Sequence, residues 1–98
     1  MNGKYRPLYN FLSAAELDEV QLSFKAIEAV LGAYLPPSAR SLDHGRQWWA
    51  NNALHGHVQA CAWLEAGYFV RDVDVESERV TFFRPVRRNR AAKNGRVR

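Results

Sequence analysis

The chain has 98 residues, 47% of them hydrophobic and 12% aromatic, which allows one domain with a modest core and leaves too little for a second. One cysteine and no apolar run near the roughly 20 residues that span a bilayer exclude an internal disulfide, a cysteine-built zinc cage and a membrane-spanning helix. The net charge of +4 is divided unevenly: seven basic residues and no acidic one fall between Arg84 and Arg98, and the rest of the chain holds seven basic and ten acidic side chains.

The opening Met1-Asn2-Gly3-Lys4-Tyr5 lacks the apolar stretch of a signal peptide, which with the single thiol predicts a cytoplasmic protein. Pro7 suits a helix start and Leu8, Phe11 and Leu12 share a face, predicting a first helix from Pro7 to about Ala14. Ser13-Ala14-Ala15-Glu16 also fits a capping box, which would instead start a helix at Ala14. Glu19 to Phe24 alternates, with Val20, Leu22 and Phe24 on one side, as a short half-buried strand does. Ser23 caps a following helix whose face is Phe24, Ile27, Val30 and Leu31, and Gly32 ends it in the left-handed geometry open to glycine. Pro37 permits a second helix through Arg40, so helix, glycine turn and helix form a helix-turn-helix outline.

Farther on, His57 to Gly67 is apolar nearly all round and predicts a core helix, with Cys61 as an inert buried thiol. From Tyr68 the period falls to two, placing Phe69, Arg71, Val73 and Val75 on one face and Val70, Asp72 and Asp74 on the other. Glu76 to Arg79 is a polar break before Val80-Thr81-Phe82-Phe83-Arg84, which completes a hairpin. The predicted fold is α+β: a small winged-helix-like domain over residues 1–84, with three or four short helices and a C-terminal hairpin. Its first strand pairs with that hairpin, and residues 85–98 form a basic disordered tail.

Ile27-Glu28-Ala29-Val30-Leu31-Gly32 and Pro36-Pro37-Ser38-Ala39-Arg40 resemble the helix-turn-helix of bacterial regulators, departing from it at Glu28 and at the paired prolines. A longer string resembles an uncharacterised small bacterial and phage domain family. It comprises Tyr5-x-Pro7-Leu8-Tyr9, Phe24-x-x-Ile27-Glu28-x-x-Leu31-Gly32, Leu35-Pro36-x-Ser38-Ala39-Arg40, Trp48-Trp49-x-Asn51, Ala62-Trp63-Leu64-x-Ala66-Gly67 and a final Val80-Thr81-Phe82. That resemblance covers roughly Tyr5 to Arg84 and implies domain limits and a bacterial or phage setting, but no activity.

Arg46-Gln47-Trp48-Trp49-Ala50-Asn51-Asn52 is the most unusual stretch, because two adjacent indoles in a helix or strand do not point into one core. With one indole outward, Arg40, Arg46, Trp48, Asn51 and Asn52 make a nucleic-acid contact patch, and Arg84, Arg87, Arg88 and Arg90 follow phosphates. With both rings closing the core, Arg46 stacks on one of them and the asparagines cap backbone groups; Arg40 has a structural role if it pairs with Asp43 or Glu28. His44, His55 and His57 lack a convincing third and fourth metal ligand, and Asp72, Asp74, Glu76 and Glu78 read as a solvated face rather than a nuclease cluster. No nucleophile elbow or phosphate loop is present, so no catalytic residue, metal or cofactor is expected. The expected function is non-enzymatic DNA binding. The rival is a protein-interaction module such as a phage-encoded inhibitor of a host defence enzyme or an antitoxin, and a homodimer through Trp48 or Trp49 fits either.

Overall fold

The computed structural model describes residues 3–52 and 58–85. Helix α1 spans Arg6–Ala14 with Pro7 in its first turn, and Ala15 is already extended, so the capping-box alternative at Ala14 does not form. Leu8 and Leu12 are the face that α1 buries. Strand β1, Glu19–Ser23, leads straight into helix α2, Phe24–Leu31. The Ser23 hydroxyl accepts the Ala26 N–H, and Gly32 closes α2 with φ of 72°. Both ends of α2 therefore follow from local capping chemistry.

The expected second helix is a single 3-10 turn, Pro37–Arg40, followed by a four-residue helix α3, Gly45–Trp48. The prolines stand at the cap and first position, where a helix tolerates them, and the turn ends because Ser41 is already extended; the stretch is too short for the helix-turn-helix outline in its usual proportions. Helix α4, Ala60–Leu64, buries Ala60, Ala62 and Trp63, whereas Cys61 is half-buried rather than fully enclosed. Gln59, a polar interruption in the sequence, is buried and donates to the Trp48 carbonyl at 2.9 Å.

Strands β2, Phe69–Asp74, and β3, Arg79–Phe83, form the hairpin, and β1 pairs antiparallel with β3 to give the order β1-β3-β2. A bulge between Val70 and Asp72 corrects the expected faces of β2: Val70 and Val73, not Phe69 and Val73, share the inner face. An extra residue, Arg71, shifts the alternation by one, which a strict period-two reading misses. Cross-strand rows result: Val20, Phe82 and Val70 then Leu22, Val80 and Val73 face the core, while Glu19, Phe83 and Phe69 lie on the opposite face. Among the described residues, no helix is long and apolar enough to cross a membrane.

At the centre lies Trp49, 1% exposed, stacked on Phe24 at 5.5 Å and on Trp63 at 5.7 Å, with its indole N–H donating to the Ala39 carbonyl at 3.0 Å. Trp48 packs half-buried between Tyr5 and Trp49, at 6.0 Å and 4.7 Å. Both adjacent indoles thus serve the core, which is the second of the two arrangements that the sequence left open. α3 is a single turn, so one ring points down and its neighbour closes the side.

Candidate functional site

The Arg-rich and Trp-rich segment between Leu35 and Asn52 is where the sequence places a contact patch, and the fold uses most of its polar groups internally. Arg40 ends the 3-10 turn. Its Nη2 lies 2.7 Å from Glu28 Oε2, its Nη1 lies 2.6 Å from Glu78 Oε2, and its guanidinium sits 5.6 Å from the Phe24 ring centre. Glu28 also accepts the Leu35 N–H at 2.8 Å. The Arg40 hydrogen bond, aided by that N–H, holds the Glu28 carboxyl below its usual range, and Glu28 in turn raises the Arg40 pKa. The acidic residue that departs from the helix-turn-helix pattern is therefore the anchor of the turn.

Glu78 is the partner that sequence reasoning did not find. Its backbone is left-handed, with φ of 57°, a geometry that costs a non-glycine residue about 1 kcal/mol or more. Three ties hold it there: the carboxylate to Arg40, the carbonyl accepting Phe24 N–H at 2.8 Å, and the N–H donating to the Val75 carbonyl at 3.2 Å. The residue lies 38 positions from Arg40, and no local pattern signals the contact.

Asn51 is committed as fully. Its Oδ1 accepts Trp63 Nε1–H at 3.0 Å and Val70 N–H at 2.7 Å, and its Nδ2 donates to the Val70 carbonyl at 2.9 Å. The side chain behaves as a short mock strand along the outer edge of β2. Arg84 packs 5.0 Å from the Tyr68 ring centre, faces Asp18 at 3.4 Å and donates to the Leu17 carbonyl at 3.3 Å. Arg71 pairs with Glu19 at 2.7 Å.

Arg46 differs. It is exposed on α3, makes no ion pair among the described residues, and borders an open groove of about 410 Å³ whose other walls include Leu42, Asp72, Asp74 and Glu76. Gly45 before it has no room for a side chain, since a Cβ would meet Val75 Cγ2 at 2.7 Å, and that close approach fixes α3 against the hairpin turn. Asn52 is exposed, and Arg87, Arg88 and Arg90 lie outside the described residues, as do His55 and His57. Of the expected patch, then, Arg46 faces outward without an ion pair among the described residues, and Arg40, Trp48, Asn51 and Arg84 are tied into the fold.

Two features had no clear sequence signal. Tyr34 is 88% exposed beside an open apolar groove of about 660 Å³ formed with Lys25, Ala29, Gly32 and Ala33. Leu42 and Leu17 are also largely exposed. Among the described residues, no three His, Cys, Asp or Glu side chains converge as metal ligands; His44 instead faces the Ser41 hydroxyl.

No curated protein and no solved structure matches the chain. The profile of one family, described as a domain of unknown function (DUF7662), matches residues 5–85, limits close to those that the sequence resemblance implied. The chain belongs to that DUF7662 family.

Proposed function

We propose that this protein is a non-enzymatic DNA-binding protein of a bacterium or its phage, a winged-helix-like body whose affinity comes from its C-terminal cations. The carrying observation is how the cations are distributed. Within the described residues Arg40, Arg71 and Arg84 face carboxylates, and the eight basic side chains are outnumbered by ten acidic ones, so the body carries net negative charge. Residues 86–98 then add six basic side chains and no acidic one directly after β3. A basic arm on a mildly acidic body is an electrostatic footprint for a polyanion.

The element order supports the same reading. Helix, strand, helix, short helices, hairpin, with the first strand beside the last, follows the winged-helix order. Arg46 and Asn52 are the outward groups of the segment that would approach the groove. Asp72, Asp74 and Glu76 make the hairpin tip repulsive to phosphates, so the wing turns away from DNA.

The test is fluorescence anisotropy of a labelled random duplex across a salt series, comparing the full chain with one ending at Pro85. The full chain binds at low salt, with log K falling by about 0.9 per phosphate contact for each tenfold rise in salt, and the truncated chain shows a shallower slope. Absence of duplex binding at low salt removes the proposal.

A second reading rests on the groove at Tyr34. An aromatic 88% exposed beside an apolar channel is the anchor type found at protein interfaces, and it fits an inhibitor, an antitoxin or an assembly subunit. Tyr34→Ala leaves duplex binding intact under the first reading and abolishes capture of the partner under the second.

A further inference from the structure

The two outer edges of the sheet are finished differently. Hydrogen bonds from Arg84 N to Asp18 O at 2.7 Å and from Phe24 N to Glu78 O at 2.8 Å bracket the β1–β3 ladder. With the register Val20 to Phe82 and Leu22 to Val80, those two pairs set Val20 and Leu22 as the residues bonded to β3. The backbone groups of Glu19 and Gln21, and the N–H of Ser23, therefore point away from the sheet. At the opposite edge the outward backbone of Val70 is satisfied by Asn51, and the bulge at Arg71 breaks the regular run of β2. Among the described residues, one edge is covered and kinked, and the other is straight and without a backbone partner.

Folded chains guard an open edge with charge, proline or a bulge. Strand β1 has no proline and no bulge, and its side chains are drawn off the edge. The Glu19 carboxylate reaches across to Arg71 at 2.7 Å, Gln21 Nε2 donates to Thr81 Oγ1 at 3.3 Å, and Ser23 Oγ is occupied by the cap of α2. We infer that β1 is a pairing edge for a second copy of this chain, joined antiparallel about a two-fold axis at Gln21 to give a continuous six-stranded sheet.

The charge arrangement selects a second copy. Exposed Asp18 lies before the strand and exposed Lys25 after it, with the uncharged Gln21 between. An antiparallel self-pair about Gln21 sets the one charged residue of the strand, Glu19, opposite the other copy's Ser23 and puts no like charges opposite one another. It also places Val20 of one copy across from Leu22 of the other on the core face, covering two half-buried apolar side chains. Trp49 is buried and Trp48 packs against it and Tyr5, so the contact inferred here uses the strand edge rather than the indoles that the sequence suggested for a dimer. The inference is independent of DNA binding.

The two-fold position makes a charge-swap test available, because residue 21 faces its own copy. Analytical ultracentrifugation of the full chain from about 5 to about 500 μM shows a concentration-dependent dimer, the range suited to a small interface. Gln21→Lys and Gln21→Glu each weaken it by about tenfold or more, with circular dichroism unchanged, and an equimolar mixture restores a dimer of one Lys and one Glu copy. A wild-type chain that stays monomeric overturns the inference. So does a dimer indifferent to both substitutions, or a mixture that fails to recover, since either places the contact elsewhere.

Discussion

Arg40 and Arg46 stand six residues apart on the same connecting segment, and their surroundings are opposite. The 3-10 turn delivers Arg40 between Glu28 of α2 and Glu78 of the hairpin turn, over the Phe24 ring, so one guanidinium ties together three parts of the chain. The short α3 holds Arg46 at the rim of an acidic groove without closing an ion pair. An arginine left at the surface and one tied into the architecture look alike in sequence; converging carboxylates distinguish them.

Four measurements break or sharpen that contrast. If the region around Arg40 is core architecture, removing the indole that stacks on Phe24, the ring under Arg40, is the most damaging change. Trp49→Ala is expected to lower stability by about 3–5 kcal/mol in urea denaturation, and a loss under 1 kcal/mol places the ring outside the core. Asn51→Ala ranks second, at about 1–3 kcal/mol, because it strips partners from Val70 and from the Trp63 indole N–H. Hydrogen exchange should show the Val70 amide losing protection, and an unchanged Val70 amide contradicts the mock-strand role.

Arg40→Gln comes next, at about 1–2 kcal/mol, since the pair is half-exposed and screened while Glu28 loses its counter-charge. The pH dependence carries the sign. The folded-state Glu28 carboxyl lies below its ordinary value of 4.5, so its contribution is present above that value and is lost as pH falls through the lowered folded value. Wild type should therefore lose more stability than Arg40→Gln on acidification from neutral pH, and parallel acid profiles would remove the pairing argument. Arg46→Ala is the smallest on stability, within about 0.5 kcal/mol. It should nonetheless reduce duplex affinity by about 1 kcal/mol in anisotropy. Equal affinity with and without Arg46 would assign binding to the C-terminal cations alone.

Legibility in the sequence tracks the distance between partners. The Ser23 cap, the Gly32 stop and the face of α2 lie within a few residues of one another and are readable. The hairpin and its turn are readable for the same reason, except that the bulge at Arg71 moves Val70 to the core side. The site was harder. Asn51 has the residue type of a base contact, yet its partners lie 12 and 19 positions away. Arg40 was open to pairing with Glu28, whereas its second carboxylate arrives from the far turn.

By itself the amino-acid order determined α2 with both its caps, the strand pair around the polar break, and the separation of an acidic body from cationic C-terminal residues. Periodicity, capping and charge need only neighbours along the chain. Tertiary structure alone decided which polar side chains stay available. A donor or acceptor taken out of water must find a partner wherever the fold brings one, and for Arg40, Asn51, Trp49 and Arg84 that partner came from elsewhere in the chain.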